Sequence, residues 1–355
     1  MTDRILGIYI GIQTQGTTSQ LRADTLKELL PNASWRFIDT DIPFLASRRI
    51  WKSLAFRLRT GPAVRAMNKH VLAQLGDERF DVAWIDKGVC LWPETIQQVR
   101  TQADRLIYYT PDTSFAENSS RFFDLSLHLY DVVATTKSFE MESFKRLLAP
   151  EKLLCVTQSF DRNLHFPRHT FREKRKEAVL IGLNEPDREN CVETLLEAGV
   201  PVAVGGKRWE SFIDRHRNTP GFRFLGPAVF GEDYANALSE ARIGLGLLTK
   251  RFSELHTTRT FEIPACGTVL ATPQNIETEA FFDAKDVIFF KDHQQLAKQV
   301  LALMSSDDLA MKFCKNGQQA VRNHGYSNHD VLAHILEHVG LSPTRPTTIK
   351  PHFHQ

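Results

Sequence analysis

The stretch SELHTTRTFEIPACGTVLATP, residues 253–273, places two glutamates around a basic, hydroxyl-rich turn and ends in an apolar run. Seven residues separate Glu254 from Glu262. On one unbroken helix that spacing corresponds to roughly 12 Å along the axis, which is too far for both carboxylates to hold one small group. We therefore predict that Glu254 lies in a loop and that Glu262 lies on a short helix capped by Thr257 or Thr258.

The start of this predicted helix favours an anion. Free backbone N–H groups of a first helical turn carry a partial positive charge, and Arg259 adds a full one. The segment therefore predicts a phosphate-binding site, while an ordinary exposed arginine and a surface glutamate are the alternative interpretation. Pro264 is compatible with the helix only if the helix begins about one turn earlier.

The segment resembles the donor-binding motif of retaining glycosyltransferases of the GT-B fold, in which two glutamates seven residues apart precede a small apolar helix. In particular it is similar to the spore-maturation-type (CgeB-like) group-one glycosyltransferases, whose motif is an arginine followed by FEIPACG. Here Thr260 stands between Arg259 and the FEIPACG of residues 261–267. Segments 130–139, 179–182 and 233–248 also resemble that family, so the similarity covers most of the chain.

The resemblance implies an α/β protein of the GT-B type, with two doubly wound Rossmann-like domains facing across a cleft. It also implies transfer of a sugar from a nucleotide-diphosphate donor to an acceptor, with retention and without a metal. In such enzymes Glu262 would accept hydrogen bonds from the ribose hydroxyls, Glu254 would lie near the transferred sugar, and Arg259 would face the diphosphate. For Glu254, a solvated loop residue beside Arg251 fits almost as well. A nucleotide-sugar epimerase and a non-catalytic nucleotide-binding module remain alternatives.

The hydrophobic pattern independently predicts parallel sheets, because short apolar runs alternate with longer amphipathic stretches. We predict an acceptor domain at 1–165, a linker at 166–177, a donor domain at 178–341 and a disordered tail at 342–355. The resemblance implies that the last helix packs back toward the first domain. The predicted strands are ILGIYI, WRFID, DVAWID, RLIYYT, DVVATT and KLLCVT in the first half, and AVLIG, VAVGG, FRFLG, IGLGLL, TVLAT and DVIFF in the second.

The composition argues against a nucleic-acid-binding, a disulfide-rich or a membrane-spanning protein. The chain has 355 residues, 42% of them hydrophobic, and a formal charge of +2, which gives no general attraction to nucleic acid. Its five cysteines are far apart, which favours reduced thiols over a disulfide framework. No apolar run reaches the length of a signal-peptide core or a membrane span, so we expect a cytoplasmic protein. We expect no cofactor beyond a nucleotide sugar, UDP- or GDP-linked, and a glycan, lipid-linked glycan, protein or small molecule as the acceptor.

Two further loops of the second half follow predicted strands. GLNEPDR at 182–188 combines a glycine turn at Gly182 with a cation at Arg188, which suits an anion as well as a simple helix cap. GGKRW at 205–209 has the same placement, so Lys207 and Arg208 are candidates for contacts with a phosphate or a base edge.

In the first half, GIQTQG at 11–16 brackets a loop with Gly11 and Gly16, which suits close approach of a diphosphate or an acceptor. Asp112 and Lys87 each follow a predicted strand, and we expect them to face the cleft and contact the acceptor or the donor sugar. For Asp112, the turn chemistry of a Pro-Asp pair is the alternative explanation.

Two other patterns carry weaker hypotheses. Asp39-Thr40-Asp41 has the pattern of a carboxylate pair that holds a metal, but an acidic turn after a strand is common. His352 and His354 lack further candidate ligands nearby in the sequence. We therefore predict no metal site. Segment 48–69 is rich in Arg and Lys, lacks acidic residues and interleaves apolar ones. It is typical of a solvated helix face, of a membrane-surface contact for a lipid-linked acceptor, or of a site for an acidic acceptor.

Overall fold

The computed structural model describes residues 5–344, apart from the side chain of Phe56. Residues 345–355, which include most of the predicted tail together with His352 and His354, lie outside the described part of the chain. The strands are β1 (Leu6–Gly11), β2 (Ser34–Asp39), β3 (Phe80–Asp86), β4 (Ala103–Thr110), β5 (Val132–Thr135), β6 (Leu153–Cys155), β7 (Arg175–Ile181), β8 (Val202–Gly205), β9 (Phe222–Gly226), β10 (Ala241–Leu245), β11 (Val269–Pro273) and β12 (Ile288–Phe290).

Helices connect these strands, and short 3-10 turns supplement them. The α-helices are α1 (Thr18–Leu29), α2 (Asp41–Ala46), α3 (Arg49–Leu58), α4 (Pro62–Leu75), α5 (Pro93–Gln102), α6 (Arg121–Ser126), α7 (Met141–Lys145), α8 (Pro186–Glu197), α9 (Glu210–His216), α10 (Gly231–Glu240), α11 (Arg259–Ala265), α12 (Ile276–Phe281), α13 (His293–Met304), α14 (Asp307–Asn323) and α15 (Asn328–His338).

The chain forms two six-stranded sheets in which every pair of neighbouring strands is parallel. The first sheet has the order β2-β1-β3-β4-β5-β6, and the second has the order β12-β11-β10-β7-β8-β9. The second order is that of a dinucleotide-binding Rossmann sheet, because its first strand β7 lies centrally between β8 and β10. Each of the predicted strands is present, and the predicted doubly wound α/β architecture is confirmed.

Burial on both faces explains why these sequences form parallel strands. In β3 the consecutive residues Val82, Ala83, Trp84 and Ile85 are fully buried, which requires helices on each side of the sheet. The alternate side chains of β3 enter two different hydrophobic clusters, one on each face. The second sheet has its own core, built from β7, β8, β10 and β11 with α8 and α13.

The structural division of the chain differs from the predicted boundaries. Among the described residues, one unit comprises 5–157 and 329–344, and the other comprises 158–328. The predicted linker at 166–177 belongs to the second unit, where Lys174 is buried and β7 begins at Arg175. The predicted donor domain to residue 341 is too long, because α15 buries Val331 and Leu336 among the side chains of the first unit.

Two smaller observations complete the fold. Within residues 5–344, no helix combines the length and the apolar character that crossing a bilayer requires. Each of the five cysteines is a free thiol; Cys191, Cys266 and Cys314 are buried, whereas Cys90 and Cys155 are partly exposed.

Candidate functional site

The topology of the second sheet defines where a ligand is expected. Neighbouring strands β7 and β10 are followed by connections that run in opposite directions, toward β8 on one side and β11 on the other. Ligands of open α/β sheets bind beyond the carboxyl ends of strands at such a switch point. The loops that leave this point are residues 182–185 and 246–258, and they carry several of the residues predicted from the sequence.

The loop after β7 is held in place by its neighbour after β8. The Gly182 N–H donates to the Gly205 carbonyl at 2.8 Å, and the Trp209 indole donates to the Gly182 carbonyl at 3.0 Å. Gly206 has φ 128°, and a Cβ built there would lie only 2.1 Å from the Gly182 oxygen. Position 206 therefore requires glycine, and the Gly182 turn is fixed before any ligand arrives.

Arg188 is a buried cation with an incomplete set of partners. The residue is 5% exposed, and its Nη1 donates to the Leu183 carbonyl at 2.6 Å. Its Nε is buried and finds no hydrogen-bond acceptor among the described residues. Burial and the nearby charge of Arg259 lower the pKa of Arg188, against the opposing effects of Glu185 and Glu254. An anion at this point would supply the missing acceptor and relieve the repulsion.

The first residue of helix α11 and the loop just before it contribute two more unsatisfied groups. The Nε of Arg259 and the hydroxyl of the buried residue Thr257 are both enclosed and lack a hydrogen-bond partner within residues 5–344. Arg188, Arg259 and Thr257 thus present three unused donors.

The capping of α11 differs in detail from the prediction. Thr258 occupies the N-cap position, but its side chain makes no capping hydrogen bond, and the Thr257 N–H donates instead to the Thr260 hydroxyl at 3.1 Å. The helix has only seven residues, Arg259–Ala265, so its dipole is small. Side chains, rather than the helix terminus, supply the positive charge of this site.

Glu262 is buried at 5% exposure, so it is not the surface carboxylate of the alternative interpretation. The Tyr234 hydroxyl donates to its Oε2 at 2.6 Å, and Nε2 of His165 lies 3.8 Å from Oε1. The Asp161 N–H donates to Nδ1 of His165 at 3.0 Å, which leaves the proton of a neutral ring on Nε2, facing the carboxylate. Glu262 is therefore oriented by two side chains and keeps lone pairs for further donors.

Glu254 lies in the loop before α11, as predicted, and is partly buried. Its charge acts on Arg188, which places it in the same cluster. The loop is anchored by the buried His256, whose Nε2 accepts from the Gln158 N–H at 2.9 Å while Nδ1 pairs with Glu277 at 2.5 Å. This buried anchor makes Glu254 part of a fixed loop.

Lys207 and Arg208 hold the 182–188 loop through their backbone carbonyls. The Lys207 carbonyl accepts from the Asn184 N–H at 2.9 Å, and the Arg208 carbonyl accepts from the Asn184 side chain at 2.8 Å. Both side chains are exposed, and Arg208 adopts φ 69°. Within the described structure they brace the 182–188 loop, and their predicted contacts with phosphate or base stay predictions.

In the first unit, Lys87 and Asp112 form an ion pair, with Nζ 2.5 Å from Oδ2. Burial raises the pKa of Asp112, but Lys87, Lys137 and Arg22 outweigh it and lower the pKa below its usual value. Both side chains are about 40% exposed, at 39% and 43%. The two side chains therefore lie together, and their predicted contact with a substrate stays a prediction.

The two glycines of the 11–16 loop serve different needs. A Cβ at Gly11 would lie 2.8 Å from Asp86 Cβ and from the Tyr9 ring, so packing within the unit accounts for this glycine. Gly16 has φ 79°, and its N–H donates to the Gln20 side chain at 3.3 Å. Their predicted role in donor binding is not required to explain either position.

The Asp39-Thr40-Asp41 turn is explained by local hydrogen bonds. Oδ1 of Asp39 accepts from the N–H groups of Gln13 and Asp41 at 3.2 and 2.9 Å. No group of three or more His, Cys, Asp or Glu side chains converges on a metal-sized point in the portion of the chain from 5 to 344.

Comparison with known proteins agrees with this architecture. Residues 187–337 match the family described as Glycosyl transferase-like. A comparison with curated proteins finds no match.

Solved structures show the GT-B fold over nearly the whole chain. Sucrose-phosphate synthase from Thermosynechococcus elongatus superposes with a TM-score of 0.64 at 14% identity, over 94% of this chain and 98% of that one. Anabaena HepE, in complex with UDP and glucose, gives 0.63 at 11% identity, over 94% and 99%. A putative UDP-N-acetylglucosamine 2-epimerase from Listeria monocytogenes gives 0.58 at 11% identity, over 99% and 100%.

Sequence reasoning missed several residues of the site. Tyr234 lies in a segment that resembles the glycosyltransferases, but its contact with Glu262 spans 28 residues and leaves no spacing signal. His165 borders the predicted linker, where a lone histidine carries no pattern. Glu185, which accepts from the Thr249 hydroxyl at 3.1 Å across the two loops of the switch point, was likewise not singled out.

Proposed function

We propose that the protein is a metal-independent, retaining glycosyltransferase that uses a UDP- or GDP-linked sugar as its donor. The observation that carries this proposal is the cluster of unsatisfied buried donors on Arg188, Arg259 and Thr257 at the switch point of the second sheet. A buried cation that no carboxylate contacts directly is unfavourable, and a diphosphate offers several acceptor oxygens and a negative charge that can pair with it. HepE has been solved with UDP-glucose, which makes that donor the first to test.

In this proposal each residue has a distinct task. Glu262, held by Tyr234, accepts hydrogen bonds from the ribose hydroxyls, and Glu254 lies near the sugar. The bond between the anomeric carbon and the diphosphate oxygen breaks while the acceptor oxygen bonds to the same face of that carbon. The acceptor proton passes to the departing phosphate oxygen, so no separate base is needed. Arg188 and Arg259 stabilise the charge that develops on the diphosphate.

The acceptor side of the reaction is proposed to involve the first unit, where Asp112 and Lys87 follow adjacent strands of the first sheet. A glycan, a lipid-linked glycan, a protein or a small molecule each offers the required hydroxyl. Segment 48–69 favours an acceptor that is anionic or membrane-bound, because it carries cations and no acidic residue.

Donor binding and product analysis test the proposal. UDP-, GDP-, ADP- and dTDP-linked sugars are added separately in a thermal-shift assay, where a ligand at 100 times its Kd stabilises the native state by about 2.7 kcal/mol. We expect stabilisation by a UDP- or GDP-linked sugar, and its loss in Glu262→Ala but not in the exposed control Glu197→Ala. Mass spectrometry then separates sugar transferred to an acceptor from free epimer, which would identify an epimerase instead. No stabilisation by any of these donors would contradict the proposal.

A further inference from the structure

Helices α2 and α3 expose an unusual group of aliphatic side chains. Ile42 and Leu45 on α2 are 57% and 58% exposed, and Ile50 and Leu58 on α3 are 67% and 63% exposed. Single exposed aliphatic residues are ordinary on a protein surface. Four of them on consecutive helices, separated only by Ser47 and Arg48, are a feature that the fold of the first unit does not require.

Helix α3 has two faces of different character. Its inner face carries Ala55, which is fully buried, and Trp51, which packs on the same small cluster. The outer face, defined by spacings of three and four residues, carries Arg49, Ile50, Ser53 and Arg57, which are all exposed. Ile50 therefore lies on the same solvent-exposed face of α3 as Arg49 and Arg57.

The charge of this surface is of one sign. Arg48, Arg49, Lys52 and Arg57 form no ion pair with another described residue, and the sequence from Ile42 to Gly76 contains no aspartate or glutamate. A hollow of about 430 Å³ at the C-terminal end of α3 is lined by Arg57, Leu58, Arg59 and Arg121, together with Ser119 and Ser120. Three guanidinium groups beside hydroxyls suit a phosphate group.

We propose that residues 42–58 bind the surface of an anionic lipid bilayer. The exposed Ile and Leu side chains would enter the boundary between headgroups and acyl chains, while the arginines and Lys52 pair with headgroup phosphates. A soluble polyanion would use the cations and leave the aliphatic side chains in water. Two copies of the chain that packed this same surface together would bring like charges together, and residues 345–355 contain Arg and Lys but no acidic residue, so neither of these contacts complements the surface.

The proposal does not depend on glycosyl transfer. Residues of the first unit alone would bind the bilayer. If the proposed function also holds, membrane binding favours a lipid-linked acceptor. Donor binding in the second unit provides an independent readout, so failure of the membrane proposal and failure of the glycosyltransferase proposal give different results.

Vesicle co-sedimentation with the full-length chain tests the proposal. Vesicles of phosphatidylcholine alone are compared with vesicles that contain phosphatidylcholine and phosphatidylglycerol at a ratio of about 7:3, at low and moderate salt. We expect strong binding to the anionic vesicles only. Because each basic side chain near such a surface contributes about five-fold, Arg49→Ala combined with Arg57→Ala should lower the partition coefficient about 30-fold.

A second pair of substitutions separates membrane insertion from simple charge attraction. Ile50→Ser combined with Leu58→Ser retains every charge, and we expect a loss of about ten-fold or more in the partition coefficient. The control Met311→Ser with Lys312→Ala changes the same chemistry on α14, where both residues are exposed, and should bind like the parent protein. Circular dichroism and the donor-induced thermal shift of each variant report that the fold and the second unit are intact.

Three results would overturn the proposal. Equal binding to neutral and anionic vesicles would show that the basic side chains do not bind the headgroup phosphates. Unchanged binding of the Ile50→Ser, Leu58→Ser variant, with equally tight binding to soluble heparin, would identify a polyanion site instead. Concentration-dependent dimerisation that the same two substitutions abolish, without vesicle binding, would identify the surface as an interface between copies.

Discussion

Arg22 and Arg188 occupy corresponding places in the two units. Each lies near the start of the helix that follows the first strand of its sheet, and each is almost fully buried, at 4% and 5% exposure. Arg22 forms a bidentate pair with Asp86, at 2.7 and 3.0 Å. Arg188 has a carbonyl partner, an unused Nε and a second arginine nearby. One unit neutralises its cation internally, and the other leaves its cation available for an anion.

The direction of the pKa shifts expresses this difference. Burial lowers the pKa of Arg22, but Asp86 outweighs it and the net pKa is raised. Burial and Arg259 together lower the pKa of Arg188. A buried arginine therefore indicates a binding site only where no carboxylate of its own chain pairs with it.

The largest effect is expected at the internally neutralised pair. Asp86→Asn leaves Arg22 buried without a counter-charge and should lower the free energy of unfolding by about 3 to 5 kcal/mol. Urea denaturation measures the loss. Asp104→Asn, which removes an exposed ion pair with Arg79, should cost less than about 1 kcal/mol. Equal losses of unfolding free energy for the two variants would show that Asp86 does not neutralise Arg22 as proposed.

Arg188→Met should behave in the opposite way. Without ligand, the free energy of unfolding should change by less than about 1 kcal/mol, because a buried charge that forms no direct ion pair is replaced by an apolar side chain of similar length. The Kd of the nucleotide sugar should rise about 100-fold, since one charge-assisted contact contributes about 1.5 to 3 kcal/mol. Titration calorimetry measures the Kd, with the exposed Arg172→Met as the control. A large loss of stability together with unchanged binding would assign Arg188 a structural role.

Lys174 provides an intermediate case, a buried cation with neutral acceptors only. Its Nζ donates to the carbonyl of Ser239 and to the Thr268 hydroxyl, and burial lowers its pKa to about 8. Between pH 8 and the unfolded value of 10.5, the unfolded chain binds more protons, so stability should rise with pH in this window. Relative to Lys174→Met, we expect a gain of about 2 kcal/mol between pH 8 and 10, measured by urea denaturation. A gain on lowering the pH would contradict this sign.

The smallest effect concerns the orientation of Glu262. Tyr234→Phe removes the hydroxyl that donates to Oε2 and retains the ring, so the nucleotide sugar should bind about ten-fold more weakly with little change in stability. Glu262→Gln should weaken binding at least as much. If Tyr234→Phe has no effect on the Kd while Glu262→Gln does, Tyr234 does not position the carboxylate.

The fold was largely predictable from the sequence because its signals are local. Runs such as DVAWID and AVLIG are buried on both faces, and their β-branched and aromatic residues allow few alternatives to a strand. The domain boundary was not predictable from these signals, because α15 has the same amphipathic pattern wherever it packs. Only the resemblance implied that the last helix packs toward the first domain, and its side chains do share a hydrophobic cluster with Leu26 and Trp84 of the first unit.

The candidate site was predictable only in its chemistry. Arg188 was identified from a loop that follows a predicted strand, and Arg259 from the start of a predicted helix. The roles of Glu254 and Glu262 were inferred from the resemblance to the glycosyltransferase motif. Whether such a charge is satisfied depends on distant residues. The pairing of Arg22 with Asp86 spans 64 positions, and nothing in the spacing distinguishes it from the unpaired Arg188.

Helix α15 has a consequence for how the chain acquires its structure. Because residues 158–328 interrupt the first unit, the last piece of that unit is synthesised after the whole of the second. Val331, Leu332, Ile335 and Leu336 must reach a core whose other side chains emerge from the ribosome far earlier. A stop directly after residue 328 would therefore yield a complete second unit attached to an unfinished first one, with apolar surface exposed to aggregation.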